Sequence, residues 1–379
     1  MCQHMTDINT PLNAVLGIDP LEQESQQIAE KTPAAYKHML RNKGTEAIRQ
    51  LTGRKDRSEY KKRGAHAFVD IGEARITIEN FYNGGIQIST TAGKLFLYLL
   101  QEVAPVLDRS GEDAIALRLH LDLEALANQF NRSMEGKAKY RFRSDIEEAI
   151  NALYHLNLTI VEVLQGKTHR LGQARLISDY IQDTKNKFAY NITLGVEFIK
   201  YLKGAILMNF YQDIFKITDS TAFNIQSRFN IHYTMRNNHK PRKGTGALVQ
   251  ANVLNIGTLI DWGINIPTIE EVKSSDRRIT DRILDPIAKA LDNEHGMVKK
   301  WQWAKQSKEP LTEHERANLS EIVEDLQVHI LEVKGEAEVT EPIYASIGAE
   351  IEKMEKKKET RERQVAKAKK AQPKKPKDV

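Results

Sequence analysis

SSDRRITDRILDPIAKALDNEHGMVKKWQW, residues Ser274–Trp303, is the stretch from which the fold class is read. At helical spacing Ile279, Ile283, Ile287 and Leu291 recur every four residues, with Leu284 and Ala290 beside them, so the segment predicts a helix with one buried stripe. Arg278, Arg282, Asp285 and Lys289 lie off that stripe, and Arg277 and Asp281 extend the polar side. Ser275 is the expected N-cap, because its hydroxyl can accept an otherwise unpaired amide hydrogen of the first turn. After the break at Asn293–Gly296, Met297–Trp303 predicts a strand with Lys299, Trp301 and Trp303 on one face. A packed helix with an arginine-bearing outer face, followed by a short strand, is how a winged-helix domain presents its recognition helix and wing.

Pro286 interrupts the pattern, since proline removes a helical hydrogen bond and clashes with the preceding turn. Either one helix bends near Arg282, or a short helix ends and a second begins with Asp285 as cap and Pro286 as its first residue. Taken alone, such a helix is an amphipathic helix with a solvated charged face. The case for DNA comes from the rest of the chain.

The 379 residues suffice for about two domains plus tails. One cysteine, Cys2, excludes an internal disulfide framework and a cysteine-based zinc site, and fits a reducing compartment. No apolar run approaches the roughly 18 residues of a membrane span, and MCQHMTDINT lacks the features of a secretory signal, so the cytoplasm is expected. The net charge of +5 is unevenly divided. Residues 353–379 hold 12 Lys/Arg against four Asp/Glu, a net of +8, which leaves −3 for residues 1–352. Basic surface on the folded body must therefore come from local clusters. Three exist: Arg41–Arg63 with nine cations and three acids, Arg132–Arg143 with five and one, and Arg228–Lys243 with five and none.

In chain order, residues 1–65 read as a polar, basic N-terminal arm, with a helix expected over Thr32–Leu51. Residues 66–205 read as a first winged-helix domain. Two strands, Ala67–Ile71 and Arg75–Phe81, precede a helix capped by Thr90 or Thr91 and buried through Leu95, Phe96, Leu99, Leu100 and Val103. Ile115–Leu121 predicts a strand and Leu123–Phe130 a short helix. A basic loop, Arg132–Arg143, then leads to a capping box at Ser144–Glu147, which opens a helix on Ile146, Ile150 and Leu153. Lys137, Lys139, Arg141 and Arg143 thus stand where a helix dipole also favours phosphate. The strands Leu158–Leu164, Gln173–Ile181 and Phe188–Leu194 follow.

Residues 206–334 read as a second winged-helix domain. Its helix Thr221–Tyr233 runs into Met235–Gly246, a basic loop offering Arg236, Asn237, His239, Lys240, Arg242 and Lys243 to phosphates. Leu248–Trp262 predicts an apolar helix, and Thr312–Leu331 an amphipathic one on Leu319, Ile322, Val323, Leu326 and Ile330. Residues 335–379 are expected to be a disordered basic tail. The class is α+β: tandem winged-helix domains between an arm and a tail.

No catalytic constellation is found. Gly166-Lys167-Thr168 ends like a phosphate-binding loop, but Val161 stands where its first glycine is required. His120, His169, His232 and His329 are isolated, and no histidine–carboxylate spacing suggests a metal. His239-x-x-Arg242 copies a tyrosine recombinase spacing, yet Pro241 interrupts it and the next tyrosine is Tyr344.

Two stretches carry a family resemblance: TTAGKLFLYLL at Thr90–Leu100, and Arg277-Arg278-Ile279 continuing through Arg282-Ile283-Leu284-Asp285-Pro286-Ile287 to Ala290-Leu291. Together they resemble the plasmid replication initiator (Rep) proteins, a family with two winged-helix domains. The resemblance spans about residues 66–332 in outline and leaves out the arm and the tail. It implies a protein that binds repeated double-stranded DNA elements at a replication origin as a monomer and represses its own gene as a homodimer. It implies recruitment of a host helicase or its loader, without enzymatic activity or cofactor. By the same resemblance Arg277, Arg278 and Arg282 face the major groove or its flanking phosphates, and Lys299 follows on the wing strand. Lys137, Lys139, Arg141 and Arg143 of the first domain supply backbone contacts, and that domain holds the dimer surface. The alternatives are a winged-helix transcriptional regulator without a replication role and a DNA recombinase or nickase, for which Tyr233 or Tyr344 would have to matter.

Overall fold

Asn42 sets the first turn of structure. Its side-chain oxygen accepts the Thr45 N–H at 2.9 Å, and the Thr45 hydroxyl accepts the Asn42 N–H at 2.9 Å. This reciprocal cap ends strand β1 (Tyr36–Arg41) and starts helix α1 (Lys43–Thr52). Met39, Leu40, Ala47, Ile48 and Leu51 are all buried. The expected helix over Thr32–Leu51 is therefore a strand and a helix, and this part of the expected arm belongs to the core. Its apolar residues pack inward despite the surrounding charge, and Arg49 is buried against Glu46. The computed structural model describes residues 35–52, 60–71, 74–83, 86, 88–107, 116–164, 167–237, 252–274, 278–307 and 310–334, with the side chains of 160–172 and 235–237 outside that description. All of them fall in one compact unit, Thr32–Asn237 with Gly244–Gly335.

The chain continues through β2 (Lys61–Arg63), β3 (His66–Ile71) and β4 (Ala74–Ile78) to α2 (Thr90–Val103). Ser89, one residue before the expected cap, accepts the Ala92 N–H at 3.2 Å. Leu95, Phe96, Leu99, Leu100 and Val103 are buried as the spacing predicts. Next come β5 (Arg118–Asp122), α3 (Leu123–Gln129) and α4 (Gly136–Tyr154). Of the basic stretch expected as a loop before Ser144, Gly136–Arg143 is thus the first two turns of α4, and only Arg132–Glu135 precedes the helix. Phe142 is buried one turn ahead of Ile146 and Ile150 and extends their stripe. The turn that redirects the chain lies further back, where Asn131 and Gly136 adopt positive φ of 52° and 51°. Strands β6 (Leu156–Leu164), β7 (Lys167–Arg175), β8 (Ile177–Gln182) and β9 (Ala189–Leu194), helix α5 (Val196–Lys203) and strand β10 (Ile206–Tyr211) complete this half. One sheet has the order β2-β3-β4-β6-β7, and a smaller one β5-β9-β8.

A 3₁₀ turn at Gln212–Lys216 leads into α6 (Ser220–Asn237), then β11 (Val253–Asn255), α7 (Ile256–Trp262) and α8 (Ile269–Ser274). Part of the stretch expected to be one apolar helix, Leu248–Trp262, is therefore strand. Thr280–Leu284 forms a π turn that runs directly into α9 (Asp285–Leu291). The Asp285 backbone N–H donates to the Thr280 carbonyl five residues back. Pro286 thus neither splits the helix nor is forced into an unbroken α ladder: the wider turn is placed where the proline ring would press on the preceding turn. Strand β12 (Val298–Lys305), α10 (Glu313–Ala317), a 3₁₀ segment at Leu319–Asp325 and β13 (Leu326–Val333) end the described chain. The helix expected over Thr312–Leu331 ends early. Leu326, Val328 and Ile330 are buried at period two, and that strand period prevails over the helical one they share with Leu319, Ile322 and Val323. The sheet order is β11-β13-β12.

The two halves repeat one topology. In each, a long helix (α2, α6) is followed by a strand (β5, β11), further helices ending in an outward-facing one (α4, α9), and a strand pair. The last strand (β9, β13) pairs with both the first (β5, β11) and the middle one (β8, β12). The hairpin β6–β7 is an addition to the first copy.

Buried polar groups join these elements. Strand β1 pairs antiparallel with β10 along its whole length, and the Tyr36 hydroxyl donates to the Lys334 carbonyl at 2.7 Å. Lys94 on α2, 7% exposed, donates to the carbonyls of Phe215 (2.9 Å) and Ile217, between the faces of Phe130 and Phe223. On α6 the Asn230 amide accepts from Tyr211 N and donates to the Asn209 carbonyl. Gln226, with no exposed surface, donates to Ala290 O (2.9 Å) and Leu291 O (3.3 Å) and accepts from Met297 N (3.0 Å) and Val298 N (3.3 Å).

Replacing Gln226 by Leu should destabilise the protein by about 3 kcal/mol, because orphaned buried donors and acceptors cost roughly 1–3 kcal/mol each. Gly296→Ala should act in the same direction, since an added Cβ would lie 2.5 Å from the Gln226 carboxamide. Urea midpoints followed by circular dichroism check both. Burial, and secondarily Arg132, pushes the Lys94 amine down from 10.5 to about 7. Between about pH 7 and 10.5 the unfolded chain therefore binds a proton that the folded chain does not, and stability should rise with pH across that window. In Lys94→Met the rise, measured by urea unfolding at pH 7 and pH 9.5, should shrink.

Candidate nucleic-acid interface

The first half presents a concentrated cationic face. The opening turns of α4 expose Lys137, Tyr140 and Arg141, and Ser144 continues that face one turn on. Lys139 is half-buried, its amine 3.7 Å from the centre of the Phe188 ring. Arg143 turns inward to the Tyr190 hydroxyl, which also donates to Glu147 at 3.4 Å. Arg132 pairs with Asp145 at 2.8 Å. Four cations and no acid lie between Gly136 and Arg143. Lys137 and Arg141 remain exposed, while Lys139 and Arg143 are held by neighbours.

Beside α4 stands the β8–β9 turn. The Asp183 carboxylate accepts the N–H groups of Lys185 (2.7 Å) and Asn186 (3.2 Å), which lower its pKa, and Asn186 caps the Phe188 N–H at 2.9 Å. The Gln182 side chain donates to the Lys187 carbonyl at 2.7 Å. A turn with so many internal bonds holds its backbone while Lys185 and Lys187 point into solvent. The alternating lysines of Asp183–Lys187 are its signal in the sequence.

The second half is different. Arg278 and Arg282 are exposed one helical turn apart, and the Arg282 N–H donates to the Arg278 carbonyl at 3.2 Å. Exposed Asp281 and Asp285 lie between and beyond them, and Lys289 follows. Lys299 is paired with Glu332 at 2.9 Å and holds that carboxyl below its usual range. Trp301 and Trp303 meet edge to face at 5.0 Å, and the Trp301 N–H donates to Asp292 at 2.7 Å. They line an open cleft of about 780 Å³ with Pro310, Leu311, Leu319 and His329. The connection between β12 and β13, residues 306–325, carries six Asp/Glu and two Lys/Arg. Its described residues from Pro310 on are folded. A capping box joins Thr312 and Glu315, and Lys305 at 2.6 Å, with the Thr312 N–H, holds the Glu315 carboxyl down at about 2.

Of the residues expected to contact DNA, the structure brings Lys137, Lys139, Arg141 and Arg143 onto one helix, and Arg278 and Arg282 onto another. Arg236 lies in the last turn of α6, with its side chain outside the described residues. Arg277, His239, Lys240, Arg242 and Lys243, and the expected cap Ser275, also lie outside them. Among the described residues no group of three or more His, Cys, Asp or Glu could hold a metal ion, and no helix is long and apolar enough to cross a membrane.

No family model matches the chain, and no curated protein matches it. Among solved structures it is similar to a crystal structure of RctB domains 2-3 (RctB-155-483), at 10% identity and a TM-score of 0.36 over 74% of this chain and 96% of that one. At that score the likeness carries no argument.

Proposed function

We propose that the chain is a replication initiator that binds double-stranded DNA through two winged helices and has no enzymatic activity. The observation that carries this reading is the repeated topology, with sheet orders β5-β9-β8 and β11-β13-β12, and exposed arginines at the outward segment of each copy: Arg141 on α4, and Arg278 and Arg282 just before and within the π turn that leads into α9. In this reading α4 and α9, with its preceding π turn, are the recognition helices, and β8–β9 and β12–β13 are the wings. The resemblance of Thr90–Leu100 and Arg277–Leu291 to the Rep proteins adds the origin, its repeated elements, a homodimer that represses the gene, and a host helicase or loader as partner.

In this reading the exposed Lys137, Arg141, Lys185 and Lys187 meet phosphates, which fix position and supply most of the salt-dependent affinity. Arg278 and Arg282 are the residues for guanine edges, where a bidentate contact is worth roughly 1–3 kcal/mol of discrimination. Lys299, paired with Glu332, contributes less.

Nuclease footprinting of the purified protein along the DNA flanking its gene tests the reading. Evenly spaced protected segments in direct repeat are expected. A lone inverted repeat over a promoter would favour a regulator, and no protection would refute DNA recognition by these helices. Arg278→Ala and Arg282→Ala should relax sequence preference. Lys137→Ala and Lys187→Ala should weaken binding to all DNA and each reduce the salt slope by about one.

A further inference from the structure

Tyr140 is 65% exposed, more than any other large apolar side chain among the described residues. A single exposed apolar residue is ordinary. This one differs in how it is held and in what surrounds it. Its ring packs against Phe188 at 6.0 Å and 58°. Phe188 is itself fixed on three sides: its N–H donates to Asn186 Oδ1, its carbonyl accepts the Leu123 N–H at 2.9 Å, and the Lys139 amine lies over its ring. The tyrosine therefore projects from a rigid base between α4 and the β8–β9 turn. Around it on the exposed surface are Lys137, Arg141 and Ser144, and residues 136–144 contain no carboxylate. A preformed aromatic suits a protein partner as well as DNA, but Lys137 and Arg141 beside it, with the exposed carboxylates Glu135 and Glu147 lying outside the first two turns, favour a polyanion.

We propose that Tyr140 contacts a thymine methyl group in the major groove of double-stranded DNA, so that α4 reads bases as well as holding the backbone. This rests on the DNA-binding reading above and assigns the first half more than the backbone contacts expected of it. The N-terminal turns of a recognition helix are the part that approaches base edges. The thymine C5 methyl is an apolar feature displayed only in the major groove. A tyrosine ring has few torsions to immobilise, and here its neighbours already hold it. Lys137 and Arg141, on either side, would hold the flanking phosphates.

The test uses the full chain and a protected segment located by footprinting. Each thymine is replaced in turn by uracil, which removes the methyl and keeps the base pair, and Kd is measured by fluorescence anisotropy at fixed salt. At one or two positions uracil should weaken wild-type binding roughly three- to five-fold, the value of one buried methyl-sized group. Tyr140→Phe should keep that discrimination. Tyr140→Ala should bind the thymine and uracil versions alike, with an unchanged salt slope and an unchanged circular dichroism spectrum. Wild-type binding indifferent to uracil at every position would overturn the inference while leaving DNA recognition standing. Discrimination that persists in Tyr140→Ala, or a changed salt slope in that variant, would also overturn it. Absence of any protected segment would overturn both readings.

Discussion

A single buried carboxamide holds the second half in register. The end of α9 leaves carbonyls without helical partners, and the start of β12 leaves amides without a strand partner. Gln226 answers both, donating to Ala290 and Leu291 and accepting from Met297 and Val298. The turn between them is thereby pinned to α6, and the backbone direction of α9 is set. The outward position of Arg278 and Arg282 follows from that, because the helix cannot roll without orphaning four buried groups. Gly296 is glycine for the same reason: the carboxamide occupies the space a side chain would need.

Helix α6 plays this part on more than one side. Asn230 binds the backbone of β10, Arg228 donates to the Asp261 carbonyl at the end of α7, and Phe223 lies over the Lys94 amine of α2. The first half is thus tied to the second through a buried lysine, and the second is organised around a buried glutamine. Neither is paired with a carboxylate. Backbone carbonyls and aromatic faces do that work, at the expense of a Lys94 amine that loses its proton far more readily than usual.

The two copies of the fold share a strand order and differ in how their exposed charges are arranged. The first carries cations without acids on the opening turns of α4 and two lysines on the rigid β8–β9 turn. The second alternates arginine with aspartate and carries an acidic connection whose residues Pro310, Leu311 and Leu319 line a cleft with Trp301 and Trp303. The exposed cations of α4 and the β8–β9 turn are therefore locally concentrated, whereas those around α9 are interspersed with carboxylates.

Residues with one strong local signal were legible without a structure. The stripe Ile279, Ile283, Ile287 and Leu291, the core of α2 and strand β9 follow from period and burial, which a chain carries in its own order, whereas the expected strand Gln173–Ile181 is divided between β7 and β8. Other features depended on partners remote in sequence. Whether Met39 and Leu40 joined the core depended on β10, some 170 residues away. Leu326–Ile330 fits a helix and a strand equally until β11 and β12 supply hydrogen bonds on both sides. Pro286 left two geometries open, and the packing of α9 under α6 is met by a third, a π turn. The polar interior of α6, with Asn224, Gln226, Ser227 and Asn230 buried, runs against the rule that polar residues face water. Hydrophobic periodicity, then, was enough for the elements with an unbroken stripe, and charge counting for the cationic clusters. Register, caps and the choice of which cations stay free were decided by tertiary contacts, because each turns on where a distant backbone group finds its hydrogen-bond partner.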